Sequence, residues 1–140
     1  MKKIIFLGAA LLTAHVSASA QEILHVEVTN IKNTNGTVRV GLFDTDDNFL
    51  KNAVAGQTVK VKGEKVEVTF KNIPPGEYAI SVIHDENENG ELDSNMFGMP
   101  KEGFGFGNDA MGTFGPPSFD KAKVKVDGQS QKQVIKMRYL

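Results

Sequence analysis

The chain has 140 residues, a formal net charge of −1 and no cysteine. This length favours a single domain, and the near-neutral charge gives no electrostatic reason to expect nucleic acid as a partner. The absence of cysteine excludes a disulfide framework, a thiolate metal site and a cysteine nucleophile.

The segment 1–20 has the three-part layout of a secretory signal peptide. Two lysines open it, an apolar run covers 4–12, and small residues at 18–20 match a cleavage site. The apolar run is too short for a stable transmembrane helix, which needs about 20 residues. We therefore expect cleavage after Ala20 and one domain over 21–140 that is periplasmic or secreted and has no transmembrane segment. The alternative is an N-terminal anchor or a buried helix.

Alternating apolar residues predict about seven short strands in the rest of the chain. Their positions are 23–29, 38–42, 59–61, 66–70, 78–82, 122–126 and 134–139. The turn at 33–36 ends in Asn-Gly, which adopts positive φ easily, so it predicts a β-hairpin between the first two strands. No segment shows a long helical period. The pattern predicts an all-β fold, an antiparallel two-layer sandwich.

The stretch from 85 to 120 shows no clear strand and is predicted to be one long loop. Structureless loops longer than about 15 residues are uncommon in compact domains and are usually functional or disordered. This one contains many large apolar residues: Phe97, Phe104, Phe106, Phe114, Phe119, Met96, Met99 and Met111. Disordered segments are poor in aromatic residues, so we expect the loop to be ordered and packed.

The start of this loop carries oxygen-bearing side chains at every second residue from 85 to 89, followed by Gly90. An EF-hand calcium loop places ligands at positions 1, 3 and 5, glycine at position 6 and a carbonyl ligand at position 7. The pattern predicts a Ca²⁺ site rather than a Mg²⁺ site, because Mg²⁺ prefers carboxylates and water. The predicted ligands are the side chains of Asp85, Asn87, Asn89 and Asp93 and the backbone carbonyl of Glu91.

The match to an EF-hand is incomplete. Position 12 is Met96 instead of a bidentate glutamate, and no helices flank the loop. A further ligand would come from elsewhere, with Asp109 and Asp120 as remoter candidates. The alternative is a solvated acidic turn in which asparagine and glycine satisfy the backbone geometry.

A second candidate site is the Phe/Gly segment that follows. Its glycines do not form a dinucleotide-binding motif, because no helix follows them. Flat rings can bind a sugar or a peptide, or they can fill a satellite core beneath the loop. The candidate ligand surface comprises Phe104, Phe106, Asn108 and Phe114.

His84 is followed directly by Asp85, and this pair suggests a small periplasmic hydrolase as a third hypothesis. A Ser-His-Asp hydrolase needs a serine in a nucleophile elbow. None of Ser81, Ser94 and Ser118 lies in such a motif. We therefore expect that the protein is not an enzyme.

Several segments resemble known families. The sequence FKNIPPGEYAI at 70–80 is similar to the Pro-Pro-Gly turn of prealbumin-like sandwiches. Over 22–140 the chain resembles a bacterial family of secreted domains of unknown function, in which a His-Asp strand end leads into an Asn/Gly-rich acidic loop. GFGN and GPPSF segments follow, here at 105–108 and 115–119. The resemblance implies an Ig-like or prealbumin-like sandwich and no established activity.

The leading hypothesis is thus a secreted or periplasmic, non-enzymatic β-sandwich module with a calcium-stabilised loop. Its partner would be an unidentified ligand in the envelope or outside the cell. An aromatic carbohydrate- or peptide-binding surface and a hydrolase using His84 are the alternatives.

Overall fold

The structure is a computed structural model and describes residues 22–140. The expected signal peptide at 1–20 lies outside the described residues. The strands are β1 Ile23–Thr29, β2 Thr37–Phe43, β3 Ala55–Lys60, β4 Val66–Lys71, β5 Gly76–Asp85, β6 Gly103–Phe106, β7 Lys123–Val126 and β8 Gln131–Lys136. One short helix, α1 Phe119–Ala122, and one 3-10 turn, Gly107–Asp109, complete the fold. The predicted all-β class is confirmed, and no described helix is long and apolar enough to cross a membrane.

The strands form two sheets that face each other. The three-stranded sheet has the order β4-β1-β8, and the larger sheet has the order β3-β2-β5, with both β6 and β7 paired to the far edge of β5. Every pairing in the named sheets is antiparallel except β1 with β8, which is parallel. The long strand β5 takes β7 beside its first half and β6 beside its second half, so two short strands share one edge.

The main core lies between the two sheets and follows the alternation of the sequence. Successive side chains of a strand point to opposite faces, and the apolar face of each central strand is buried. The contributing residues include Leu24, Val26, Val28, Val38, Val40, Leu42, Val68, Phe70, Ile80, Val82, Val124, Val126 and Ile135. The inward faces predicted for these strands are therefore confirmed.

The predicted hairpin between β1 and β2 is wrong. Strand β1 pairs with β4 and β8, whereas β2 pairs with β3 and β5, so the intervening segment crosses from one sheet to the other. Asn30 and Gly36 have positive φ at the two ends of this crossing, and Ile31 between them is buried in the core. The Asn-Gly signal identified a change of direction, but a change of direction does not determine which strand the chain pairs with next.

The expectation of no strand between 85 and 120 is also corrected, because β6 lies inside this stretch. Its glycines face the other sheet, where a Cβ on Gly105 would lie 2.8 Å from the Cγ2 of Ile135. Its phenylalanines face the opposite side. Phe104 exchanges two backbone hydrogen bonds of 3.0 and 2.8 Å with Arg138, just past β8. This single β-bridge links β6 of the larger sheet to the segment that follows β8 of the smaller sheet.

A second, aromatic core covers the outer face of the five-stranded sheet. It consists of Phe43, Phe49, Ala79, Phe104, Phe106, Phe119 and Ala122. The ring of Phe49 lies 5.5 Å from that of Phe43 and 6.1 Å from that of Phe119, both edge-on, which is the favoured geometry for aromatic pairs. This cluster packs the long loop against the sheet, so the loop is ordered, as the sequence predicted.

Candidate functional site

The candidate site begins where β5 ends, at the buried carboxylate of Asp85, which is 1% exposed. This carboxylate accepts the backbone N–H groups of Asn89 at 3.1 Å and Gly90 at 2.8 Å. Gly90 has a φ of +86°, a conformation that glycine adopts without steric cost. The loop therefore curls around one buried acid.

Asp93 closes the curl from the other side. Its two carboxylate oxygens accept the side-chain amide N–H groups of Asn87 at 2.6 Å and Asn89 at 2.9 Å. The amide oxygens of the same asparagines accept the backbone N–H groups of Asn89 at 3.2 Å and Glu91 at 3.0 Å. The side chains of Asp85, Asn87, Asn89 and Asp93 are thus brought together, whereas the Glu91 side chain points into solvent.

These residues supply the right donor type for a hard cation, but as they lie the amide oxygens face backbone donors. Within residues 22–140, no group of three or more His, Cys, Asp or Glu side chains is arranged to hold a metal ion. A cation site at this loop therefore needs asparagine oxygens. A half-turn of either amide about its terminal torsion would direct oxygen instead of nitrogen towards Asp93. The donor set of carboxylates, amides and a carbonyl fits calcium.

Glu102 is a central residue of the site that sequence reasoning missed. Its carboxylate is 4% exposed and accepts the backbone N–H of Glu86 at 2.9 Å and of Asp93 at 3.1 Å. It therefore holds the two ends of the acidic loop together. No local signal distinguishes it from a surface glutamate, because its position follows from the bond between the N–H of Lys101 and the carbonyl of Asp93 at 2.8 Å.

Charged side chains from neighbouring strands anchor the loop further. The guanidinium of Arg39 on β2 lies 3.9 Å from the Asp85 carboxylate and partly neutralises it. Lys60 at the end of β3 pairs with Glu88. Contacts of this kind between exposed charges contribute little individually, but Arg39 faces a buried carboxylate, where the interaction is less screened.

His84 lies completely buried beside this loop. Its Nε2 lies 2.8 Å from the carbonyl oxygen of Asn35, and because a carbonyl can only accept, Nε2 carries the proton. Its Nδ1 then accepts the hydroxyl of Tyr139 at 2.8 Å, while the Tyr139 oxygen accepts the backbone N–H of Lys32 at 3.0 Å. Burial raises the pKa of Tyr139 above its usual value, so the hydroxyl stays protonated as a donor.

This network argues against the hydrolase hypothesis for His84. Both ring nitrogens are engaged in bonds that connect β5 to the crossing after β1 and to the C-terminal segment. A general base needs a nitrogen within reach of the proton that it abstracts. His84 has no nitrogen left for a serine, and its position is that of a structural core histidine.

The predicted ligand surface is corrected for two of its four residues. Phe104 and Phe106 are buried in the aromatic core, because they occupy the outer face of β6 and the loop around Phe49 covers that face. Asn108 is exposed, but its side-chain amide donates to the carbonyls of Lys121 and Lys123 at 3.1 and 2.8 Å. These bonds tie the loop to α1 and to the start of β7. The ring of Phe114 is fully exposed, as the ligand-surface hypothesis requires.

The comparisons with known proteins identify a family but no activity. A family model described as an uncharacterized protein conserved in bacteria (DUF2141) matches residues 26–134. No curated protein and no solved structure matches the chain. The match includes most of the sandwich and the whole acidic loop.

Proposed function

The chain belongs to this uncharacterized bacterial family, and we propose that it acts as a non-enzymatic binding module whose loop 85–93 holds a calcium ion. We place it in the periplasm or outside the cell on the strength of its first 20 residues, with an envelope or extracellular ligand as its partner. The same proposal includes a prealbumin-like sandwich, because the Pro-Pro-Gly turn of this chain resembles the turn found in such domains.

The observation that carries the calcium proposal is that one tight loop holds two carboxylates, Asp85 on backbone N–H groups and Asp93 on the two asparagine amides. Two carboxylates in one tight loop repel each other. Backbone N–H groups and Arg39 offset the charge of Asp85, and the asparagine amides offset that of Asp93. A calcium ion between these groups would neutralise both charges. With two neutral amides among its ligands, the site is expected to bind with a Kd of about 10⁻⁴–10⁻³ M, as in extracellular modules.

The test is a thermal melt of the protein in calcium, in magnesium and in a chelator. With a Kd near 1 mM, about 10 mM calcium stabilises the folded state by about 1.4 kcal/mol, which raises Tm by roughly 5 °C for a domain of this size. Magnesium at the same concentration should have a smaller effect because it loses its water shell reluctantly.

Matched variants locate the effect. Asp93→Asn preserves the shape of the side chain and removes one ligand charge, so it should abolish the calcium-dependent shift. Asp47→Asn, at an exposed acid outside the loop, should retain it. Equal melting temperatures in calcium and chelator, or a full shift in Asp93→Asn, would overturn the calcium proposal.

The alternative functions have weaker support. The hydrolase hypothesis loses the free nitrogen of His84 that it requires. The aromatic-surface hypothesis keeps Phe114, whose ring is fully exposed, but loses the two buried rings of β6. A ring standing alone offers one stacking face and no second wall, so the calcium-stabilised module is the function that the geometry supports best.

A further inference from the structure

Two loops in the second half of the chain, 94–100 and 111–118, carry its most exposed apolar side chains. Among the large apolar side chains of residues 22–140, the three highest exposures are those of Met96 at 90%, Phe97 at 82% and Phe114 at 102%. Single exposed apolar residues are ordinary on a protein surface, but groups of them mark interaction or membrane surfaces. We call these segments the first and the second apolar loop.

Both apolar loops are attached to the aromatic core on the outer face of the five-stranded sheet. Leu92, two residues before the first apolar loop, packs against this core. Ala110, directly before the second apolar loop, also packs against it, and Phe119, directly after that loop, is one of its members. The exposed side chains of both loops are therefore rooted on the same side of the sandwich.

The first apolar loop satisfies its own backbone. The side-chain oxygen of Asn95 accepts the N–H groups of Phe97 at 2.9 Å and Met99 at 3.0 Å. The N–H of Asn95 donates to the carbonyl of Met99 at 2.8 Å, and that of Gly98 donates to the carbonyl of Asn95 at 2.9 Å. Four backbone N–H groups thus have partners inside the loop. Water could serve such groups at an exposed turn, whereas inside a membrane every polar group needs an internal partner.

Neither apolar loop contains a charged residue. Their sequences are SNMFGMP at 94–100 and MGTFGPPS at 111–118, in a chain of which 24% is charged. Charged side chains are expensive within the hydrocarbon of a membrane, so an uncharged loop is what insertion requires. Charged residues return at the base of the first apolar loop, where Asp93 precedes it and the exposed Lys101 follows it.

The shape of this surface favours a lipid bilayer over a folded partner. Its apolar side chains are divided between two separate loops, and the ring of Phe114 stands clear of the protein surface. A stable protein interface is a patch of about 800 Å² per partner with close shape complementarity, so a protein would need a matching pocket for each loop. A fluid bilayer needs no matching shape.

We propose that the two apolar loops insert into the surface of a lipid bilayer and hold the protein there. The rings of Phe97 and Phe114 enter the boundary between headgroups and acyl chains, which is about 5–10 Å deep for interfacial segments. The aromatic core behind the loops holds both of them in place. This proposal names the partner of the binding module proposed above. It rests on the proposed location in the periplasm or outside the cell, but it does not depend on the calcium ion.

The test uses the absence of tryptophan from the chain, because one introduced tryptophan then reports on its own position. In Phe97→Trp, neutral phosphatidylcholine vesicles should shift the emission to the blue and reduce quenching by acrylamide, with half of the change at about 1 mM lipid. The control is Val134→Trp, at an exposed apolar position on β8 of the smaller sheet. Its emission should not change.

Serine variants test the two loops separately. Phe97→Ser and Phe114→Ser should each weaken co-sedimentation with the vesicles at least about tenfold. Both rings are exposed, so both variants should keep the stability of the wild type within about 0.5 kcal/mol. Val134→Ser is the matched control and should bind as the wild type does. Salt at about 0.5 M should leave binding unchanged, because insertion does not depend on attraction between surface charges.

No blue shift at about 10 mM lipid, loss of binding in salt, or full binding by either folded serine variant would each overturn the proposal. A dimer in solution that Phe97→Ser dissociates would also overturn it, since a second copy would then cover the first apolar loop. The titrations are repeated in calcium and in chelator. Vesicle binding without a calcium-dependent Tm shift removes the calcium site alone, whereas a Tm shift without vesicle binding removes the membrane proposal alone.

Discussion

Replacing Glu102 by glutamine tests whether a buried carboxylate holds the acidic loop. In the structure, the backbone N–H groups of Glu86 and Asp93 donate to the Glu102 carboxylate at 2.9 and 3.1 Å. In Glu102→Gln the amide oxygen can accept only one of these bonds, and the amide N–H group faces the other donor. A buried N–H left without an acceptor costs about 1–3 kcal/mol, and the remaining bond loses its charge assistance. We expect a total loss of about 3 kcal/mol of folding free energy, corresponding to a Tm about 12 °C lower.

The measurement is urea and thermal unfolding followed by circular dichroism. The matched control is Glu67→Gln on β4, whose acid is 54% exposed and lies 3.6 Å from His25, and whose change should be within about 0.5 kcal/mol. Amide hydrogen exchange at Glu86 and Asp93 should be faster in Glu102→Gln. If both variants unfold at the same urea concentration with unchanged exchange, Glu102 does not hold the loop and the reasoning is wrong.

Three further predictions concern the core and the pH dependence. Gly105→Ala should lose about 1–3 kcal/mol of the free energy of unfolding measured in urea, because its Cβ would lie 2.8 Å from Ile135. If the variant is as stable as the wild type, the two sheets can move apart at this point without cost. Phe106→Ala should lose about 3–5 kcal/mol and Phe114→Ala less than about 0.5 kcal/mol, and similar losses would contradict their assigned burial. Burial raises the pKa of Tyr139 above 10.0, so the unfolded chain releases this proton at lower pH than the folded chain, and stability should fall as pH rises above about 10. In Tyr139→Phe the fall should be less steep, and an unchanged slope in urea titrations from about pH 9 to pH 11 would refute the assignment.

The contacts of the acidic loop divide into those that were predictable and those that were not. The convergence of Asp85, Asn87, Asn89 and Asp93 is local, because short polar side chains bond to backbone groups a few residues away. The sequence spacing was therefore sufficient to group them. Glu102 and Arg39 reach the same loop from distant parts of the chain, and their roles depend on which strands lie side by side. The sequence pattern carried no signal for either.

Strand β6 shows the same division between what the sequence predicted and what only the fold decided. Alternation by itself determined that the chain forms short strands with one apolar face, and it identified the inner residues of the central strands. In β6 glycine alternates with phenylalanine, so the inner face of this strand carries no side chains. Only the structure identifies it as a strand, because the opposite sheet packs directly against its glycines.

The sequence by itself thus determined the all-β class, the residues of the main core and the local geometry of the acidic loop. The tertiary structure decided the pairing of β1, the burial of Phe104 and Phe106, and the positions of Glu102 and Arg39 at the acidic loop. The physical reason is that a period of two defines two faces for every strand. Which edge finds a partner, and what covers the outer face, depends on contacts between residues far apart in the chain.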